Sequence, residues 1–316
     1  MELMAKVERL TIPKDKRVIC ISDIHGSLDL FKQLLDKVYF SDGDILILLG
    51  DFYTKGNQGR ETLKFVMELY QKPNVYAIRG NSDWIESYLE TSEKEWLENL
   101  PHIIETKDYI FVHGGLTSDR LDKQEAEKCM KNDAFMEQGL SFDRYIITGH
   151  WPTVNYCHKI PCYNPIINKE RKIIAIDGGM NLKITGQLNA FIISGGKFSF
   201  ESVDDLPVYV VEKTQEASGG NLNITWNDRF IELIEEHNGI GIYRHLATGI
   251  ELSLPSGIGW IDGDGNLGES NFGTDYFLPL ALEDTVSVVK SFGSRFFAKK
   301  DGVAGWVGEN CVRSRL

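Results

Sequence analysis

The sequence has no run approaching the ~18–20 consecutive apolar residues that a helix needs to cross a bilayer, so no membrane partner is expected. Its first ten residues include Glu2, Lys6, Glu8 and Arg9, which interrupt any apolar core of a signal peptide. Paired cysteines are also missing. Cys20, Cys129, Cys157, Cys162 and Cys311 are odd in number and show no C-x-x-C spacing, as expected of reduced thiols in a cytoplasmic protein. Basic residues are in deficit, 34 Lys and Arg against 46 Asp and Glu, for a net charge of −12. Phosphate backbones repel such a surface, so a nucleic-acid polymer is not the expected partner. The chain of 316 residues, 42% hydrophobic and 25% charged, has the composition of a soluble globular protein with one large or two ordinary cores.

Up to about residue 204, short apolar runs alternate with helix-patterned segments. Residues 17–22, 45–49, 74–78, 109–112, 145–148 and 173–176 are rich in β-branched and aliphatic side chains, as buried strands are. Leu28, Phe31, Leu35 and Val38 follow helical spacing, as do Leu63, Val66, Met67 and Tyr70. A capping-box pattern, Ser92 to Glu95, opens a third helix. This alternation predicts an α/β domain over 1–204. Residues 205–222 are polar and glycine-bearing and read as a linker. Over 223–316 helical periodicity is absent, and strand-like runs at 230–234, 240–243, 285–289, 295–299 and 303–307 predict a small all-β domain. Residues 231–246 and 286–301 share a strand–turn–strand pattern, which points to a duplication. Trp226, Tyr243, Trp260, Phe272, Tyr276 and Trp306 read first as core, with a ligand groove as the alternative, and Asp262-Gly263-Asp264-Gly265-Asn266 reads as a turn.

One feature recurs six times in the front domain: residues that can bind metal follow directly on an apolar run. They are Asp23 and His25, Asp51, Asn81 with Asp83, His113, His150, and Asp177. Open α/β sheets place their sites at the carboxyl ends of strands. Carboxylate, imidazole and amide groups converging there suit manganese, iron or zinc. No convincing serine or cysteine nucleophile accompanies them. None is needed where metal ions activate water.

At SDIHG (22–26), GDFYTKGNQGRETLKFV (50–66), RGNSD (79–83), VHGGL (112–116), GHWPT (149–153) and IDGGM (176–180), the sequence resembles the calcineurin-like metallophosphoesterases. Within them it resembles the phosphoprotein-phosphatase branch and its bacterial dinucleoside-tetraphosphatase relatives. That resemblance implies a sandwich of two mixed sheets flanked by helices. It implies two divalent ions, manganese first, with iron, zinc, cobalt or nickel as the other options. Asp23 and His25 would hold one ion, Asp51 would bridge, and Asn81, His113 and His150 would complete the second site. Pro152 stands where phosphoesterases outside this branch carry a further histidine. In the back domain, Gly305-Trp306 and its surroundings resemble a bacterial Src-homology-3-like barrel.

The departures concern the leaving group. The phosphatase branch carries an Asp-Arg pair where this sequence has Thr54-Lys55, and a histidine where it has Ser82. In the family that histidine protonates the leaving oxygen and that aspartate orients it. General acid catalysis contributes about 10²–10⁴ in rate, so its loss favours leaving groups that need little protonation. Asp51, Lys55 and Ser82 are the candidate catalytic residues, and Lys55 and Arg79 the candidate phosphate binders. The leading expectation is a phosphoprotein phosphatase whose hydroxide bridges two metals. The alternatives are a hydrolase of dinucleoside polyphosphates or other nucleotides, and a metal-binding scaffold without catalysis. A polypeptide partner on the back domain is a further expectation.

Overall fold

The computed structural model describes residues 3–83, 88–293 and 295–314. It divides into two compact units, one of residues 1–153, 164–182 and 186–204, the other of 154–163, 183–185 and 205–316. The second unit thus draws in two short stretches from within 1–204.

In chain order the first unit contains β1 (Val7–Arg9), β2 (Val18–Ile21), α1 (Leu28–Lys37), β3 (Ile45–Leu48), α2 (Gly59–Leu69), β4 (Val75–Ala77), α3 (Thr91–Asn99), β5 (Ile103–Glu105), β6 (Tyr109–Val112), α4 (Ala126–Met130), β7 (Tyr145–Thr148), β8 (Ile166–Asn168), β9 (Ile173–Ala175), β10 (Leu188–Ser194) and β11 (Lys197–Val203). They form two mixed sheets, ordered β11-β10-β2-β3-β4 and β1-β5-β6-β7-β9-β8. Each sheet holds a parallel triple, β2-β3-β4 in one and β6-β7-β9 in the other. These six strands are the six apolar runs of the sequence.

Side chains alternate across the strands and so sort into two cores. Val18, Cys20, Ile45, Ile47, Phe191 and Ile193 point from the first sheet towards Ile104, Phe111, Ile147 and Ile174 of the second. Ile19, Ile21, Leu46, Leu48 and Ala190, on the opposite face, meet Phe31, Leu34 and Leu35 of α1, Leu63 and Val66 of α2, and Leu97 of α3. Strands buried on both faces explain why the runs read as continuous apolar stretches rather than alternating ones. The capping box of α3 lies two residues earlier than expected: Glu90 is the N-cap and Glu93 closes it. Glu93 is also held by Arg60 Nε at 3.1 Å, an anchor that Glu95 lacks among the described contacts.

The second unit is all β. It contains β12 (Val208–Val211), β13 (Ile231–His237), β14 (Ile240–His245), β15 (Glu251–Pro255), β16 (Trp260–Ile261), β17 (Leu267–Gly268), β18 (Thr285–Phe292), β19 (Arg295–Lys300), β20 (Val303–Gly308) and β21 (Val312–Ser314). Because β12 pairs with β18 and β21, the stretch read as a linker is part of a five-stranded sheet. Aligned from Ile231 and Val286, the two hairpins slip register at the same offset, between Leu233 and Glu235 and between Val288 and Lys290. Tyr243, Phe272 and Trp306 are core residues, so they line no groove, whereas Trp226 is 43% exposed and stacks on Trp260. Asp262 Oδ1 accepts the amides of Asp264 and Asn266, closing the β16–β17 turn. None of the five cysteines is in a disulfide among the described residues.

Phe191 is fully buried between the sheets. Phe191→Ala should cost about 3–5 kcal/mol, through lost burial and the cavity left behind. Chemical denaturation should register this as a lower midpoint with an unchanged slope.

Candidate metal centre

The parallel triples bring the residues that follow β2, β3, β4, β6, β7 and β9 to the same ends of their sheets. Sharp turns there aim the side chains. Asp23, His25, Asp51 and His150 all have left-handed backbones, with φ of 55°, 47°, 57° and 64°. A non-glycine residue pays roughly 1–3 kcal/mol for that conformation and keeps it only where neighbours enforce it. Here the enforcing contacts are amides: Asp23 N donates to Gly50 O at 3.1 Å, His25 N to Asp51 O at 2.9 Å and His150 N to Asp23 Oδ2 at 2.9 Å. Gly80 allows the approach, since a Cβ there would sit 2.2 Å from Asp51 Oδ1.

Asp23, His25 and Asp51 each offer a ligand atom within 4.8 Å of the others, and all three are buried. Asp51 faces two ways. Its Oδ2 lies 3.6 Å from His25 Nε2, and its Oδ1 lies 3.4 Å from His113 Nε2. His113 gives its Nδ1–H to Leu49 O at 2.5 Å. Its Nε2 lies 3.0 Å from Asn81 Oδ1, an acceptor, so a protonated ring donates there too and a neutral ring keeps its lone pair on Nε2; Asn81 Nδ2 donates to Ser82 Oγ at 3.2 Å, which turns Oδ1 towards the imidazole. With that Nε2 proton released, two lone pairs face each other, an arrangement that suits a cation. Asp23 Oδ1 and both ring nitrogens of His25 are buried without a hydrogen-bond partner among the described residues, and buried polar atoms rarely lack one. The donor set of carboxylate, imidazole and amide fits divalent metal ions.

Electrostatics agree with that fit. Burial holds the His25 imidazole below its usual value, against the pull of the Asp51 and Asp23 carboxylates, which favours the unprotonated ring that metal binding needs. Burial opposes ionisation of Asp51 too, but His113, His25 and the Ser82 amide outweigh it and hold the carboxyl below its ordinary range. Burial would lower His113 as well; Asp51, Asp23 and the Leu49 carbonyl reverse this and raise it. A metal ion would compete for that proton.

Beside the cluster lies a cleft of about 540 Å³ lined by Tyr53, Thr54, Lys55, Arg60, Ser82 and Tyr88 among others. Lys55 and Ser82 both line it. Ser82 donates its backbone amide to Asp51 Oδ1 at 2.7 Å. Arg79 does not line this cleft, and its guanidinium donates to Asp83 O at 3.3 Å. His150 gives its Nε2 to Asp133 Oδ1 at 2.7 Å, with its ring 5.4 Å from that of His113. Two further residues matter to the geometry. Asn181 Nδ2 donates to His25 O at 2.8 Å. Asp83 accepts the amides of Asp51, Phe52 and Gly80 at 2.8, 2.7 and 2.9 Å. Its only signal in the sequence is an acid beside Asn81; for Asp133 there is none.

Burial, reinforced by the Asp51 charge, pushes the Asp83 carboxyl up to about 7 from its ordinary 3.8. Between those pH values the metal-free folded chain keeps a proton that the unfolded chain has released, so stability falls as pH rises through the window. Asp83→Asn should flatten that fall. Calorimetric melting of metal-free protein at pH 4.5 and 7 checks this; a wild-type difference retained in the variant would show Asp83 ionised throughout.

A family model for calcineurin-like phosphoesterases matches residues 16–186. The symmetrical bis(5'-nucleosyl)-tetraphosphatase of Chromobacterium violaceum is 29% identical over 150 residues, covering 40% of this chain and 52% of that enzyme. Its counterpart from Vibrio parahaemolyticus is 28% identical over 139 residues, covering 38% and 52%. The match thus spans about half the length of these curated relatives. A solved structure of a "putative diadenosine tetraphosphatase" superposes with a TM-score of 0.51 at 21% identity, over 64% of this chain and 99% of that one, a likeness of fold. The six residues that the resemblance implies as ligands all lie inside the matched region, which takes in more than half of the chain. The chain belongs to the calcineurin-like phosphoesterase family.

Proposed function

We propose that the protein is a divalent-metal-dependent hydrolase of phosphoanhydrides, with dinucleoside polyphosphates as its substrate class. The carrying observation is the cleft linked to Asp51 through Ser82, which presents Lys55 but has Thr54 and Ser82 where the resemblance places the branch's aspartate and histidine. A nucleotide leaving from an anhydride is already stable as an anion, so no proton need be delivered to it. An alkyl phosphoserine would need one. The similarity to bis(5'-nucleosyl)-tetraphosphatases supports the same choice, and the phosphoprotein reading takes second place.

In this reading Asp23 and His25 would hold one ion and Asn81, His113 and His150 a second, with Asp51, whose two oxygens face His25 and His113, shared between them. Two divalent ions, when bound, supply Lewis-acid activation of water and neutralise charge on the phosphate. The chain's own residues do the rest. The Leu49 carbonyl keeps His113 in the tautomer that can coordinate. Asp83 holds the Asp51 and Gly80 backbones in place. Lys55 offers a point charge to a phosphate oxygen, without the bidentate fork of an arginine. Ser82 anchors Asp51 through its amide.

Purified protein with Mn²⁺ should cleave diadenosine tetraphosphate at least tenfold faster than a phosphoserine peptide at equal concentration. The reverse order would restore the phosphoprotein reading. Asp51→Asn should abolish turnover and weaken both ions, because one carboxylate serves two cations. Lys55→Ala should raise KM for the tetraphosphate by about tenfold or more, the cost of a lost charge-assisted contact.

A further inference from the structure

We propose that Asp133 is the positioning carboxylate of His150, holding the ring so that Nδ1 rather than Nε2 is the atom available to a metal ion. The inference rests on the metal-centre reading above and adds a residue that lies outside every motif of the sequence. A neutral imidazole carries one N–H and one lone pair. With Nε2–H given to Asp133 Oδ1 at 2.7 Å, the lone pair of His150 is on Nδ1. The neighbouring His113 is arranged the other way round, with Nδ1–H given to Leu49 O and the lone pair on Nε2. In their neutral, metal-binding forms, two imidazoles 5.4 Å apart are thus held in opposite tautomers by two different outer partners.

The segment that carries Asp133 is built against the turn that follows His113. A Cβ on Gly114 would lie 2.8 Å from Asn132 N, and one on Gly115 would lie 2.5 Å from the Phe135 ring. Only glycines admit that approach. Gly114 N donates to Cys129 O at 2.6 Å, Gln138 Nε2 donates to Asn132 Oδ1 at 2.6 Å, and Phe135 is buried. Ala134 takes a left-handed φ of 53°, so the chain accepts strain immediately after Asp133. The contact itself contributes little to folding, because Asp133 is 52% exposed and such a pair is worth about 0–1 kcal/mol. Orienting His150 is what the arrangement accomplishes. The two glycines of the His113 block therefore serve both imidazoles, one by sequence adjacency and the other through Asp133.

Long-range ¹⁵N–¹H spectra of the full, metal-free chain should report the Nε2–H tautomer for His150 and a tautomer mixture for Asp133→Ala. Calorimetric titration of the full chain with Mn²⁺ should show one of two sites weakened about 10–100-fold in Asp133→Ala. The other site should be unchanged, and Asp133→Asn, which keeps the acceptor oxygen, should lie near wild type. The Nδ1–H tautomer in the wild type would overturn the proposal. So would unaltered Mn²⁺ binding in Asp133→Ala, or equal weakening of both sites with a lower melting temperature. A wild type that takes up one ion only would overturn the two-ion reading, while the His150 tautomer would still decide the role of Asp133.

Discussion

Asp51 is the pivot on which the strand-end geometry depends. One oxygen faces His25 and the other faces His113, and the latter also accepts the Ser82 amide. Its own carbonyl accepts from His25 and its own amide donates to Asp83. Three loops, after β2, β3 and β4, are therefore tied to one residue. That convergence requires backbones to approach more closely than side chains permit, and Gly50 and Gly80 make room: a Cβ on Gly50 would lie 2.4 Å from Gly80 N.

The site is costly for the apo fold. Burying carboxylates and imidazoles away from water is unfavourable unless they are paired. Here several are under-satisfied: Asp23 Oδ1, both nitrogens of His25, and Asp177 Oδ2 lack hydrogen bonds. Burial and the Asp23 charge push Asp177 well above its ordinary value as well. Left-handed backbone at four of the proposed ligands adds strain. Cations would offset the charge repulsion and occupy the orphaned lone pairs. The same constellation, buried and strained without them, is what a binding site rather than a structural core would contain.

The second unit follows a different principle. Its two hairpins repeat a bulge at the same offset, and bulges redirect a strand and sharpen its twist. Around them Phe272, Phe292, Phe297 and Trp306 pack edge to face, at centroid separations of 4.9–5.5 Å. Aromatic packing of that kind holds a small β core together. None of the proposed ligands belongs to this unit.

The sequence alone determined the six parallel strands, because strands buried on both faces must be continuously apolar, and it determined the ligand types that follow them. It also placed Thr54 and Ser82 where the resemblance implies an acid pair. Elements that depend on partners were less legible. The β10–β11 hairpin, β12 within a polar stretch, and the capping box at Glu90 rather than Ser92 all take their identity from contacts remote in sequence. Where the Arg79 guanidinium points was not legible either: it donates to the Asp83 carbonyl. Tertiary structure alone decided which lone pair each histidine keeps. A ring nitrogen is committed by its outer hydrogen-bond partner, and Leu49 lies 64 residues from His113 while Asp133 lies 17 from His150. Spacing along a chain carries no record of such pairings, because they exist only once the sheets have brought the loops together.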